Sequence, residues 1–226
     1  MKFPQIITNF KAYDQGFGKE ALDMAKIHEK VSKATGVSIG VAVSAIDLKS
    51  IVEAVDIPVF VQHIDPITCG RGTGGVLPEA VKDVGAYGTL LNHSEKRLNR
   101  DVLAHCVQRA KEVGLKTIVC AESSEEGAAF AEYDSDMIAV EPPELIGGDI
   151  SVSTANPEII DRSVESIGHG KVVVGAGVKD ARDVKIAFEL GASGILLASG
   201  VMKADDPEAV LLDLVKGIQE AQGNKY

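Results

Sequence analysis

Residues Met137 to Asp149, MIAVEPPELIGGD, contain the pattern that decides the fold prediction, a short apolar run that ends at a carboxylate. Met137–Val140 has the length and composition of a strand that is buried on both faces. Glu141 stands where the chain leaves the sheet, so this isolated acid is a candidate general base. Taken alone, the pattern is also typical of a surface loop with a solvated glutamate.

The segment after Glu141 changes from stiff to pliable. Pro142–Pro143 restricts φ and supplies no backbone N–H, whereas Gly147–Gly148 can adopt conformations closed to other residues. Apolar Leu145–Ile146 lies between the two pairs. This arrangement predicts a lid that closes over Glu141 and excludes water.

Apolar runs alternate with amphipathic stretches along the whole chain. The eight runs of strand length are Gln5–Asn9, Val37–Val43, Val59–His63, Gly88–Leu91, Lys116–Cys120, Met137–Val140, Lys171–Val174 and Gly194–Leu197. The helical patterns are Gly18–Ala34, Ala45–Ala54, Pro78–Val84, Asp101–Val113, Ser124–Glu132, Pro157–Ile167, Ala181–Leu190 and Pro207–Gln222. Eight such units predict a parallel eight-stranded sheet closed into a (βα)8 barrel ringed by helices, in preference to an open doubly wound sheet.

Residues that favour helix ends support these boundaries. Candidate N-caps precede five of the helical patterns, and candidate C-cap glycines follow four: Ser44, Ser123, Asn156, Asp180 and Asp206, then Gly36, Gly85, Gly114 and Gly191. Because no linker or shift of composition divides the chain, we expect residues 1–226 to form one domain.

Composition narrows the range of functions. The 226 residues are 45% hydrophobic and carry a formal net charge of −10, which argues against nucleic acid or an anionic membrane as the main partner. No apolar run approaches the ~20 residues of a membrane span, and the N-terminus does not have the pattern of a signal peptide. We therefore expect a cytoplasmic protein that does not bind membranes.

Cysteine and histidine are few and scattered. Cys69, Cys106 and Cys120 are odd in number and form no C-x-x-C pair, so neither a disulfide framework nor a zinc site is indicated. The five histidines show no spacing typical of metal ligands, and no carboxylate cluster has calcium-loop spacing. We expect no metal and no other cofactor.

Polar residues follow the first and fourth strands, at the end of a barrel where chemistry gathers. After strand one come Asn9 and Lys11, and a lysine there can hold a phosphate or polarise a carbonyl oxygen. A lone lysine at this point is also typical of the surface.

The hexapeptide NHSEKR, residues 92–97, follows strand four. We expect His93 to end the strand, Ser94 to cap the next turn, and Glu95 to form ion pairs with its two basic neighbours. A lone histidine in this position is also typical of a structural group.

Small-residue turns follow strands seven and eight. One contains Gly175 and Gly177, and the other contains Ala198 and Ser199. Backbone N–H groups in such turns can approach an anion closely, and these two positions are the usual phosphate site of the fold. Without the barrel context, a close-packing turn is the alternative. The glycine-rich segment Cys69–Gly75 likewise fits either a flexible surface loop or a phosphate cradle.

Four elements occur in order after strands one, four, six and eight: N-x-K, N-H-S-E-x-R, E-P-P-E-L-I-G-G and L-L-A-S-G-V. In these elements the chain resembles the triosephosphate isomerase family, and its archaeal branch in particular, over essentially its whole length. The resemblance implies a cofactor-independent isomerase of glycolysis and gluconeogenesis. It would interconvert dihydroxyacetone phosphate and D-glyceraldehyde 3-phosphate through an enediolate.

The resemblance also implies residue roles. Glu141 would move the proton, while neutral His93 and Lys11 would stabilise oxyanion charge. Asn9 and Lys11 would bind substrate, and Ile146–Gly147 would close on the phosphate together with the last two loops.

In the family, the loop that corresponds to Cys69–Gly75 enters a neighbouring subunit beside its active site. The resemblance places Thr73 there and therefore implies a homo-oligomer, either a dimer or a tetramer. Many members have serine where Gly177 stands and Gly-Gly where Ala198–Ser199 stands, which leaves only backbone donation from the seventh loop.

Two other functions remain as alternatives. A Schiff-base aldolase would need a lysine inside the barrel, but Lys116 and Lys171 stand at the beginnings of strands. A non-catalytic barrel that serves as a sensor or assembly partner would have no need of both Glu141 and His93.

Overall fold

The computed structural model describes residues 2–142, 156–175 and 177–223. Eight parallel strands pair in chain order, and β8 returns to β1, so the sheet is a closed barrel and the fold prediction is confirmed. The strands are β1 Ile6–Asn9, β2 Ile39–Val43, β3 Val59–Val61, β4 Gly88–Leu91, β5 Lys116–Ala121, β6 Met137–Val140, β7 Val172–Gly175 and β8 Gly194–Leu197.

Helices surround the barrel. They are α1 Gly18–Thr35, α2 Leu48–Ala54, α3 Pro78–Asp83, α4 Arg100–Val113, α5 Ser124–Ala131, α6 Pro157–Ile167, α7 Ala181–Glu189, α8 Ser199–Met202 and α9 Pro207–Gly223, with 3-10 turns at Asp14–Gly16 and Ser94–Lys96. Within the described ranges, none of these helices has both the length and the apolar composition that crossing a membrane requires.

Two apolar layers hold the barrel together. Its interior is filled from the strands by Ile7, Ala42, Phe60, Leu90, Ile118, Cys120, Ala139, Val173 and Leu196. The alternate strand residues point outward and pack against the helices. Because both faces of each strand are buried, the strands read as continuous apolar runs, which is why the sequence reveals them.

Most predicted helix ends are confirmed. The side chains of Ser123, Asp180 and Asp206 accept hydrogen bonds from backbone N–H groups of the helices that follow them. Gly36 and Gly114 end α1 and α4 in the left-handed conformation that glycine tolerates best.

The predicted start of α2 is wrong. Ser44 does not cap this helix, because its hydroxyl donates to the Asp47 carboxylate at 2.8 Å and the chain turns once more before the helix begins at Leu48. The cap of α4 was not predicted: Asn99 accepts from the backbone N–H of Val102 at 2.9 Å. Asn156 occupies its expected N-cap position without a side-chain capping bond.

Candidate active site

A cavity of about 130 Å³ opens at the carboxyl end of the barrel. Its walls bring together seven of the residues predicted to act there: Asn9, Lys11, His93, Glu141, Gly177, Ala198 and Ser199. The other residues that line it are Tyr13, Val178, Lys179, Leu196, Leu197 and Gly200. Strand order alone places these separate segments around one opening.

Glu141 is buried on the cavity wall directly after β6. Its backbone N–H donates to the carbonyl of Ala121 at 2.8 Å, which extends the β5–β6 pairing by one residue and fixes the base of the side chain. Oε2 of Glu141 is buried and has no hydrogen-bond partner among the described residues. A buried carboxylate oxygen without a partner is costly, so this atom is available to a ligand that donates to it.

The thiol of Cys120 lies beneath Glu141 in the barrel interior. Burial raises the pKa of this thiol well above its usual value, and the charge of Glu141 and a hydrogen bond with it raise the pKa further. Cys120 therefore stays protonated and packs in the barrel interior.

His93 is held by the turn that follows it. It is the N-cap of the 3-10 turn Ser94–Lys96, and its Nδ1 accepts a hydrogen bond from the backbone N–H of Glu95 at 3.2 Å. The cap is therefore His93 and not Ser94. Because Nδ1 uses its lone pair for this bond, a neutral ring carries its proton on Nε2.

Lys11 has an unusual backbone conformation, with φ at 47°. Its N–H donates to Oδ1 of Asn9 at 3.0 Å, and its Nζ donates to Oε1 of Glu95 at 2.8 Å. Glu95 thus pairs with Lys11 and not, as predicted, with Lys96 or Arg97. Arg97 instead pairs with Glu126.

Gln62 was not predicted as a site residue. Its side-chain amide stabilises the backbone conformation of Lys11. Its Nε2 lies 3.2 Å from Oδ1 of Asn9 and 3.1 Å from the carbonyl oxygen of Lys11. A left-handed, non-glycine residue costs roughly 1–3 kcal/mol and persists only where its surroundings determine it. Gln62 and Asn9 supply those surroundings.

Only some of the residues predicted for the phosphate cradle line the cavity. Gly177, with φ at 70°, lies on the cavity wall together with Ala198 and Ser199, where α8 begins. Gly175 is the last residue of β7 and lies against Glu141, but Gly175 does not itself line the cavity. The predicted lid residues Ile146 and Gly147 are outside the described part of the chain.

The Cys69–Gly75 loop contributes nothing to the walls of this cavity, and Thr73 is exposed. The neck of the loop is closed by Asp65 and Val76. The Asp65 N–H donates to the Val76 carbonyl at 2.9 Å, and the Val76 N–H donates to Oδ2 of Asp65 at 2.7 Å. Arg109 of α4 adds a hydrogen bond to the carbonyl of Ile67 at 3.1 Å.

A second cavity of about 330 Å³ adjoins the first and shares Asn9, Lys11 and His93 with it. Gln62, His63 and residues of the β2–α2 and β4–α4 loops form its other walls. Among the described residues, no three histidine, cysteine or carboxylate side chains converge as metal ligands would.

A closed parallel barrel with a glutamate and a histidine facing one cavity at its carboxyl end defines the class, a (βα)8-barrel enzyme equipped for proton transfer. Residues 4–218 match the triosephosphate isomerase family. The triosephosphate isomerase of Methanocaldococcus jannaschii is 48% identical over 217 residues, which cover 94% of this chain and 99% of the relative.

Two further relatives agree. The triosephosphate isomerase of Methanobacterium bryantii is 46% identical over 219 residues, 95% of this chain and 97% of the relative. That of Saccharolobus solfataricus is 44% identical over 218 residues, 95% and 96% of the two chains. The chain belongs to the triosephosphate isomerase family, and its activity is the interconversion of dihydroxyacetone phosphate and D-glyceraldehyde 3-phosphate.

The two lysines considered for a Schiff-base aldolase, Lys116 and Lys171, lie at the amino end of the barrel, opposite the cavity. Lys116 begins β5 and pairs with Asp136 at 2.6 Å, and Lys171 precedes β7 with its side chain 42% exposed. Neither can reach a substrate at the carboxyl end, so neither can serve as the Schiff-base lysine of an aldolase.

Proposed function

We propose that Glu141 is the base that moves the proton in this isomerisation. The observation that supports it best is its place on a wall of the same cavity as His93, with a buried carboxylate oxygen that has no partner among the described residues. The carboxylate would take a proton from one substrate carbon and return it to the neighbouring carbon. The electron pair would pass through an enediolate and back, so no cofactor is needed for the atoms and charges to balance.

His93 would act as the electrophile in its neutral form. A proton on Nε2 lets the ring donate to the substrate oxygen while Nδ1 remains bonded to the Glu95 N–H. This pairing of a glutamate base with a neutral histidine is the one already described for triosephosphate isomerases. Lys11 would add positive charge beside the same oxygen.

The phosphate group would bind where Gly177, Ala198 and Ser199 line the cavity. The first N–H groups of a helix have no acceptor within that helix, and α8 begins at Ser199 on this wall. Donation by backbone groups needs no particular side chain, which accommodates the departures from the family pattern at these positions.

We also propose that a second copy of the chain completes the site. The second cavity, which shares Lys11 and His93 with the first, would receive the Cys69–Gly75 loop of the partner, with Thr73 beside Lys11. Substituting Thr73→Arg should give a protein that sediments as a monomer and has much lower activity. An oligomeric and fully active Thr73→Arg would reject this interface.

We further propose that the protein is cytoplasmic, which cell fractionation would test.

A coupled assay on three variants tests the catalytic roles. Glu141→Gln keeps the shape of the side chain and removes the base, so kcat should fall by roughly 10²–10⁴-fold with little change in melting temperature. His93→Gln should also lower kcat. Glu122→Gln is the matched control, because Glu122 follows the adjacent strand with 47% of its side chain exposed and does not line the cavity. Near-normal activity of Glu141→Gln would reject its role.

A further inference from the structure

We infer that Gly175 is a positioning residue for Glu141, because the missing side chain at Gly175 leaves the space that the Glu141 side chain occupies. This inference rests on the proposed role of Glu141 as the base. It assigns Gly175 to the proton-transfer half of the site, whereas its sequence position alone suggests the phosphate half.

The pairing of β6 with β7 brings the two residues together. Ala139 pairs with Val173 and Val140 pairs with Val174, so the next position of the register sets Glu141 opposite Gly175. Ala139 and Val173 both point into the barrel interior. Since side chains alternate along a strand, Glu141 and the Cβ direction of Gly175 also point inward, one layer nearer the carboxyl end.

The space beside Gly175 is filled by Glu141. A Cβ atom placed on Gly175 would lie 2.3 Å from Cγ, 2.8 Å from Oε1 and 3.0 Å from Cδ of Glu141. Carbon atoms in contact normally stay 3.5–4.0 Å apart, so the two groups cannot share this position. Every one of the three nearest atoms belongs to Glu141, and none belongs to a backbone.

Backbone conformation does not explain the glycine. Gly177, two residues later, has φ at 70°, where glycine is favoured. Gly175 is not among the glycines with positive φ and lies in the regular strand β7, a conformation that alanine adopts readily. What the position requires is therefore room for its neighbour.

The nature of the clash predicts which group moves. An added methyl group at Gly175 would meet a side chain that can rotate, so β7 can stay in place while the carboxylate swings away. Displacement of a catalytic group by about 1 Å costs on the order of 10²-fold in rate. The cost of such a substitution should therefore fall on catalysis and not on the fold.

Gly175→Ala tests this in two backgrounds. In the otherwise unchanged enzyme, kcat should fall about 10²-fold while KM changes by less than about 3-fold. In the Glu141→Gln background, the same substitution should change kcat by less than about 3-fold, because the base it displaces is already absent. An equal loss in both backgrounds, or a loss seen mainly as a higher KM, would overturn the inference and place Gly175 in phosphate binding.

Stability measurements keep the test decisive if Gly175→Ala folds poorly. Glu141→Ala removes the atoms that the methyl group would meet, so Gly175→Ala should cost no stability in that background. A double variant that still fails to fold would contradict the inference. This test of Gly175 is separate from the test of Glu141 as the base. The role of Glu141 is rejected only if Glu141→Gln remains active.

Gly88→Ala is the matched control. Gly88 is also a strand glycine, but its Cβ would lie 2.3 Å from the backbone carbonyl oxygen of Lys116. A backbone atom in β5 cannot rotate away, so this variant should lose stability while its folded molecules keep their kcat. If the two glycine variants behaved alike, Gly175 would have only the structural role of Gly88.

Discussion

Nδ1 of His93 accepts a hydrogen bond from the backbone N–H of Glu95, at 3.2 Å. The Glu95 carboxylate is also near, with Oε2 at 3.8 Å from the same nitrogen, and would favour a proton there. The backbone N–H is closer and can only donate, so Nδ1 must present a lone pair. A turn of three residues thus sets the tautomer of a ring that lines the cavity.

Nitrogen-15 NMR at neutral pH should show His93 with a bare Nδ1 and a protonated Nε2. His28 provides an internal control with the opposite pattern, because its Nδ1 lies 2.8 Å from the carbonyl oxygen of Met24 and must donate to it. A protonated Nδ1 on His93 would remove the geometric basis for its role as a neutral electrophile.

Removing the side-chain amide of Gln62 should weaken catalysis without removing any group that contacts the substrate. Gln62→Leu removes the hydrogen bonds from Nε2 to Oδ1 of Asn9 and to the carbonyl of Lys11, so Lys11 should leave its left-handed conformation part of the time. The loss of two such bonds predicts a fall in kcat/KM of roughly 10-fold. Gln108→Leu, on the exposed face of α4, is the control and should leave kcat/KM unchanged. Equal values for both variants would show that Gln62 does not position Lys11.

The free energy of unfolding should decrease between pH 7 and pH 5 because of His28. Burial lowers its pKa from 6.5 to about 4, and the bond to Met24 offsets only part of this effect. Between about pH 6.5 and pH 4, His28 binds a proton in the unfolded chain but not in the folded chain. The contribution of neutral His28 to the free energy of unfolding is therefore fully present above about pH 6.5. It decreases as the pH falls, and about 2 kcal/mol is lost at pH 5.

Urea unfolding at pH 8 and pH 5 measures this dependence. Other groups also titrate in this range, so the informative quantity is the difference between the original protein and His28→Gln, which cannot take up the proton. His28→Gln should be less stable at pH 8 and should lose less stability on acidification. The same pH dependence in both proteins would show that His28 is not the responsible group.

The neck of the Cys69–Gly75 loop should control access of a protease to Arg71. Asp65→Ala removes the carboxylate that accepts from the Val76 N–H at 2.7 Å, so the loop should open more often and trypsin should cleave after Arg71 roughly 10-fold faster. Asp56→Ala is a control away from the loop and should not change the rate. An unchanged rate in Asp65→Ala would show that Asp65 does not hold the loop closed.

The proposed partner subunit also predicts how the rate of cleavage at Arg71 depends on protein concentration. If the loop inserts into another copy of the chain, the rate constant for cleavage at Arg71 should fall as protein concentration rises. Sedimentation across the same concentrations would report the assembly directly. A rate constant independent of concentration, together with a monomeric sedimentation coefficient, would reject the interface.

The barrel could be predicted from sequence because each strand is buried on both faces and reads as an apolar run. The errors lie where polar side chains form tertiary contacts. β3 ends at Val61 and not at His63, because Gln62 turns toward Asn9 and Lys11 while His63 bonds to Asp65. The start of α2 was misplaced because Ser44 bonds to Asp47 and delays the helix.

The cavity residues could be predicted because the motifs occur in order at the carboxyl ends of strands. Contacts across the barrel could not be predicted in this way. Gln62 acts on Asn9 across 53 positions of sequence, and nothing local to Gln62 signals that contact. Gly175 reads as part of a phosphate turn until the β6–β7 register sets it against Glu141. The partner of Glu95 was misassigned for the same reason, because Lys11 is 84 positions away.

The proposed mechanism requires a single carboxylate, that of Glu141, to remove a proton from a substrate carbon. Hydrogen exchange between the triose phosphate and D₂O, followed by proton NMR, measures that step directly. Under this mechanism, Glu141→Gln should incorporate deuterium at least roughly 10²-fold more slowly than the unmodified enzyme, while Glu122→Gln should keep the original rate. Deuterium incorporation by Glu141→Gln at the original rate would contradict it.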